Sequence, residues 1–192
     1  MKHSPHFHFF AHSIPYTFCM TKRIAIVGNA GSGKTTLGRR LSQIYGLPLT
    51  HVDSIQFLAG MKIRPHAESI QLLNQIQESE KWLIEGYGPL DIIEKRFQMA
   101  DQVIFIDLPL WRHYWWSTKR QITNAWSKRK ELPEGCHEFS FAQTKRLYLT
   151  IWKMHRQMRP QLLKIFARDS LKTKMLYIRS YSDWKRIYRH GA

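Results

Sequence analysis

The residues with the most specific chemistry lie between positions 28 and 36, Gly28-Asn29-Ala30-Gly31-Ser32-Gly33-Lys34-Thr35-Thr36. Gly28, Gly33, Lys34 and Thr35 satisfy the spacing GxxxxGK followed by Ser or Thr, the phosphate-binding P-loop. Each residue type has a physical reason. Glycines let the backbone turn tightly and bring its N–H groups against phosphate oxygens, and the N-terminus of a following helix adds unpaired donors and partial positive charge. The Lys34 ammonium is spaced to reach β- and γ-phosphates, and the Thr35 hydroxyl to face Mg²⁺. The stretch therefore reads as a site for ATP or GTP with Mg²⁺. A Gly-rich turn can match the spacing by accident. Here the apolar run Ile24-Ala25-Ile26-Val27 precedes it, and Leu37, Leu41 and Ile44 follow at helical spacing, as the strand and helix that the motif requires.

Four other residues could carry chemistry. Asp107 ends the apolar run Val103-Ile104-Phe105-Ile106 and either orients Mg²⁺ through water or caps the next helix. Asp53 follows the short strand Leu49-Thr50-His51-Val52, beside the P-loop in folds of this kind. It either accepts a proton from an acceptor hydroxyl or is a polar turn residue. Arg64 and Arg96 are clamps for an anionic acceptor or ordinary surface ion-pair partners.

The elements that must position these groups alternate. Strands are expected at 24–27, 49–52, 82–85, 103–107 and 174–178, nearly all apolar, as in a parallel sheet covered on both faces. Gly46 and Pro48 end the helix after the P-loop, and 54–65 reads as a loop that could cover a substrate. Pro65 opens a helix carrying Ile70, Leu73 and Ile76, and a short one follows through Ile92, Ile93 and Phe97. From Trp111 to Lys130 the period is helical. Trp111, Trp115, Ile122 and Trp126 form one face, read as packing with base stacking as the alternative, and Arg112, Arg120 and Lys130 an adjoining one. Leu132-Pro133-Glu134-Gly135 breaks that helix. A second long one turns Leu147, Ile151, Met154, Met158 and Leu162 inward and Arg146, Lys153 and Arg156 outward, with a kink or interruption at Arg159-Pro160. A closing helix spans 183–189.

Length suits one domain over 21–192, with a lid region at about 111–140 and residues 1–20 as an extension lacking periodicity. Met20 is a possible translation start, and the histidines of the extension could bind metal only incidentally. Cys19 and Cys136 match no metal or disulfide pattern, which suits a reducing cytosol, and no apolar run is long enough to cross a membrane. The net charge is +16 and uneven: residues 21–110 hold 10 Lys+Arg against 9 Asp+Glu, whereas 111–192 hold 19 against 5. Such an excess suggests an anionic partner, a polyphosphate substrate or a nucleic-acid backbone, unless it is a solvated surface that only aids solubility.

In its P-loop, His51-Val52-Asp53-Ser54, Arg64-Pro65, Glu85-Gly86-Tyr87-Gly88, Ala100-Asp101, Asp107-Leu108-Pro109 and Glu134-Gly135-Cys136, the chain resembles the adenylate-kinase-like P-loop proteins labelled DNA topology modulation proteins. The resemblance runs from about Met20 to the C-terminus. It implies an α/β P-loop NTPase fold of the nucleoside-monophosphate-kinase type: a five-stranded parallel sheet, helices on both faces and a basic helical lid. It implies that Arg112 and Arg120, with Lys119 beside them, face the transferred phosphoryl group. It also implies acceptor contacts at Gly86 and Tyr87, although the family's Asn-Tyr-Gly turn is Gly86-Tyr87-Gly88 here. The function expected is an ATP-dependent phosphotransferase acting on an unidentified acceptor, with a nucleic-acid-associated P-loop ATPase as the rival.

Overall fold

A computed structural model describes residues 21–124 and 141–192. The chain runs β1 (Arg23–Gly28), α1 (Lys34–Tyr45), β2 (Leu49–His51), α2 (Val52–Gln56), β3 (Phe57–Leu58), a 3₁₀ turn (Ala59–Met61), β4 (Lys62–Ile63), α3 (His66–Glu78), β5 (Trp82–Glu85), α4 (Leu90–Met99) and β6 (Gln102–Ile106). It continues through α5 (Leu110–Asn124), α6 (Phe141–Lys153), a π-helical turn (Met154–Met158), α7 (Arg159–Phe166), α8 (Asp169–Lys172), β7 (Met175–Ile178) and α9 (Tyr181–His190).

Five strands pair in parallel in the order β2-β5-β1-β6-β7, so the strand that feeds the P-loop lies at the centre. Ile24, Ala25, Ile26 and Val27 are completely buried because both sheet faces are covered. Ala25 and Val27 face a core with Ile84, Phe97, Phe105, Leu162 and Phe166, and Ile24 and Ile26 face another with Leu37, Leu41, Leu83, Ile178 and Ile187. Because every strand runs the same way, His51, Glu85, Gly28 and Ile106 all end at one edge of the sheet. That edge carries the P-loop.

The α/β class and the five-stranded parallel sheet agree with expectation, and several details differ. The second strand stops at His51, and Val52–Gln56 is helical, so Asp53 sits in the first turn of α2 and is exposed. The expected loop at 54–65 contains the end of α2 and the antiparallel pair β3–β4, too short to show a period. The helical face expected to pack does not: Trp111, Trp115 and Ile122 are 60%, 60% and 66% exposed. The inward face of α5 instead carries buried His113 and Ser117, because the helix meets the P-loop backbone itself. A Cβ added to Gly31 would stand 2.2 Å from Ser117 Oγ and 2.6 Å from the His113 carbonyl oxygen. Space that narrow favours a small polar side chain over an indole. At Arg159-Pro160 the helical path continues through the π-helical turn, with the proline in the first turn of α7. The expectations for residues 1–20, Trp126, Lys130, Leu132–Gly135, Cys19, Cys136 and the distal part of the lid lie outside the described residues. Among the described residues no helix is long and apolar enough to cross a membrane.

Candidate functional site: the P-loop and its carboxylate

The loop from Gly28 to Gly33 leaves β1 and enters α1 through two glycines with left-handed φ, 67° at Gly31 and 81° at Gly33, values that side-chain-bearing residues rarely adopt. Gly28 is also tight: an added Cβ would lie 2.8 Å from the Ile106 carbonyl oxygen. Asn29 fastens the loop. Its Oδ1 accepts from the Ala30 N–H at 2.8 Å, and its Nδ2 donates to the Ile151 carbonyl of α6 at 2.8 Å. Lys34 reaches back across the loop, donating from Nζ to the Asn29 carbonyl at 3.0 Å. Ser32 is fully buried and Thr36 exposed.

The carboxylate that meets the loop is Glu85. Thr35 Oγ1 donates to Glu85 Oε1 at 3.0 Å, and His51 Nδ1 lies 2.7 Å from the same oxygen. Sheet register makes this cluster, since His51 pairs with Glu85 across β2–β5 and Glu85 with Ile26 across β5–β1. Burial to 6% exposure pushes the Glu85 pKa up. The His51 hydrogen bond, the Lys34 charge and the Thr35 hydroxyl outweigh that and hold it below the ordinary carboxylate value, so the group is ionised at neutral pH. An acid at the end of an otherwise apolar strand was the sequence signal for Glu85, but the contact with Thr35 depends on strand order.

Asp107 lies at the same sheet edge, and both its oxygens are engaged by Arg159, Oδ1 from Nε at 2.6 Å and Oδ2 from NH2 at 2.8 Å. This bidentate pair raises the Arg159 pKa and ties α7 to the end of β6. Arg96 is completely buried and donates from NH1 to the Gly86 and Tyr87 carbonyls, each at 3.0 Å. It shapes the Gly86–Gly88 turn from within and is not a surface ion-pair partner. Burial pushes its pKa down to about 10, leaving it charged at neutral pH. Burial, with the nearby Asp107 charge, raises the Tyr87 pKa. Arg64 supports the hairpin, donating from Nε to the Ile55 carbonyl at 2.7 Å and standing 3.6 Å from Glu68.

On α5, Arg112 lies over Trp111 at 4.5 Å, Tyr181 at 5.4 Å and Trp116 at 5.8 Å. Arg120 is partly buried one helical turn beyond Ser117 and Trp116, and Lys119 is exposed. His113 is buried beside the loop, its Nε2 3.1 Å from the Leu108 carbonyl oxygen. Burial, reinforced by the Lys34 charge, pulls its pKa down to about 4. Sequence reasoning did not single out Glu85, His113 or Arg159 as site residues. Nor did it single out Trp116 and Trp184, whose rings approach Gly33.

No protein-family model and no curated protein matches this chain. Among solved structures it is similar to a shikimate kinase from Bacteroides thetaiotaomicron, with 14% identity over 88% of this chain and 95% of that one and a TM-score of 0.49. It is also similar to a gluconokinase from Sinorhizobium meliloti 1021, with 13% identity over 89% of each chain and a TM-score of 0.47.

Proposed function

We propose that the chain is an ATP-dependent phosphotransferase of the nucleoside-monophosphate-kinase type, acting on a small acceptor. The observation that carries this reading is the ionised Glu85 carboxylate hydrogen-bonded to Thr35 next to the glycine cradle and Lys34. The residues present fit both groups the reaction needs. The cradle and Lys34 suit polyphosphate, and the Thr35 hydroxyl and Glu85 carboxylate are hard oxygen donors that suit Mg²⁺, directly or through water. When bound, Mg²⁺·ATP supplies the phosphoryl group and a divalent charge to neutralise it. Lys34 exchanges the Asn29 carbonyl for phosphate oxygens. His51 holds Glu85 in orientation. With both Asp107 oxygens on Arg159, Thr35 and Glu85 are the better metal pair, and Asp107 fastens the wall of the site. Asp53 at the start of α2 accepts the acceptor's proton, the Gly86-Tyr87 turn held by Arg96 lines the acceptor side, and Arg112 and Arg120 supply positive charge from α5. The acceptor remains to be found by screening nucleotides, nucleosides and hydroxylated metabolites for ATP-dependent products.

The first test is thermal. Mg²⁺·ATP should raise the melting temperature of the wild type, since a ligand bound only by the folded state stabilises it by mass action. Lys34→Ala should remove most of the shift. Glu85→Gln should retain a shift with ATP alone and lose the increment due to Mg²⁺. Equal shifts in all three proteins would end the proposal.

One observation favours a second reading, a nucleic-acid-associated ATPase. Trp111 and Trp115 are largely exposed on a helix that also carries Arg112 and Lys119, so aromatic faces and cations share one surface.

A further inference from the structure

The C-terminal helix reaches the P-loop through one side chain. Ser180 and Asp183 form a capping box that fixes where α9 starts, with the Asp183 N–H donating to Ser180 Oγ and the Ser180 N–H to Asp183 Oδ2, both at 3.1 Å. Ile187 packs into the same core as Leu37 and Leu41, and Arg40 Nε donates to the Tyr188 carbonyl at 3.2 Å. The helix is thereby anchored on α1, whose first turn is the end of the P-loop. Trp184 projects from it within a ladder of rings. It stacks on Tyr188 at 5.1 Å and 13° and on Tyr181 at 6.1 Å and 23°, and Trp116 meets it edge-on at 6.1 Å and 70°. These contacts hold the plane of the indole.

The polar edge of that ring lies at the loop. A Cβ added to Gly33 would be 3.1 Å from Trp184 Nε1. The Nε1 atom is buried and has no hydrogen-bond partner among the described residues. Three more buried polar atoms near the loop share this condition, Ser32 Oγ, Ser117 Oγ and His113 Nδ1. A serine hydroxyl can donate or accept, and an unprotonated ring nitrogen only accepts, so neither calls for an anionic partner. An indole N–H is a donor only, with a direction fixed by its ring. Leaving it unmatched is costly, and Phe would keep an aromatic ring in the stack without that cost. The N–H stands beside a glycine loop of the kind whose backbone N–H groups bind phosphate.

We propose that Trp184 is a phosphate ligand, its indole N–H donating to a phosphate oxygen of the nucleotide held in the P-loop. α9 thereby becomes part of the nucleotide site. The assignment rests on the nucleotide reading given above and adds a donor that lies some 150 residues outside the motif. Stacking holds the donor in place before the ligand arrives, so little entropy is lost in using it.

The test uses the indole N–H resonances of the uniformly ¹⁵N-labelled full chain, in which Trp184 is recognised by its contacts with Tyr181 and Tyr188. Mg²⁺·ADP should move the Trp184 resonance downfield and slow its exchange with water, and adenosine, which lacks phosphate, should do neither. By calorimetry Trp184→Phe should weaken Mg²⁺·ADP about tenfold, the value of one hydrogen bond to a charged acceptor. Trp152→Phe, an exposed change on α6, should bind as the wild type does. An unmoved Trp184 resonance in a wild type that binds Mg²⁺·ADP overturns the assignment alone. So does an equal response to adenosine, or a folded Trp184→Phe of unchanged affinity. A wild type that binds no Mg²⁺·ADP overturns the assignment together with the nucleotide reading beneath it. The resonance experiment needs no variant, so it decides the matter even if Trp184→Phe does not fold.

Discussion

His113 shows how a single side chain links the site to stability. Its ordinary pKa of 6.5 falls to about 4 because the folded protein buries it and Lys34 adds like charge. Between those two values the unfolded chain binds a proton that the folded chain refuses, so stability must fall as pH drops from 6.5 towards 4. The full effect is about 3 kcal/mol, at 1.36 kcal/mol per pKa unit. Glu85 acts in the same sense at lower pH. Its depressed folded value contributes stability above the ordinary carboxylate range, and this is lost as pH falls through that folded value. Urea denaturation of the wild type should show the decline from pH 6.5 to 4, and His113→Gln should flatten that limb while leaving the more acidic one. An unchanged slope in His113→Gln would show that the ring titrates normally.

At the scale of elements, the contact between α5 and the P-loop is the feature most sensitive to a single methyl group. Gly31→Ala would force a Cβ against Ser117 Oγ and the His113 carbonyl, and a backbone carbonyl in a helix has little room to move. The φ of 67° adds strain for any L side chain. Gly46, the C-cap of α1, has a similar φ of 63° but nothing within 4 Å of an added Cβ. Gly46→Ala therefore measures the conformational cost alone, about 1 kcal/mol. Gly31→Ala should cost about 1–3 kcal/mol more, as overpacking does, and should weaken Mg²⁺·ATP binding as the loop shifts. Equal chemical-denaturation stability for the two variants would mean that α5 yields freely to the loop.

Across the whole molecule, charge is what separates the two functional readings. The basic excess lies in residues 111–192, on elements that come after the sheet edge has been formed by β1, β2 and β5. Positive charge aimed at a transferring phosphoryl group stabilises the transition state more than bound ATP, whereas charge that tracks a nucleic-acid backbone releases counterions on binding. Once an acceptor is known, Arg120→Ala should lower turnover about a hundredfold with ATP affinity little changed. The salt dependence of any DNA binding should be the same as in the wild type. Unaltered turnover with a salt slope reduced by about one would favour the nucleic-acid reading.

The strand, glycine turn and helix of the P-loop were legible from sequence because their geometry is local. Glycine freedom, a lysine and a hydroxyl at fixed spacing need only a strand before and a helix after. The five parallel strands were legible for a related reason: a strand buried on both faces cannot tolerate polar residues, so Ile24–Val27 and Val103–Ile106 declare themselves by composition. Tertiary structure decided whatever depended on which strand lies beside which. Glu85 reaches Thr35 because β5 sits next to β1, and Asp107 is held by Arg159 from a helix about fifty residues later. Periodicity identified α5 as a helix but misjudged its inner face. Hydrophobic pattern locates a core only where side chains meet side chains, and here the helix meets the bare backbone of Gly31. The same limit concealed Trp184, whose unmatched N–H lies at the loop only because α9 folds back against Gly33.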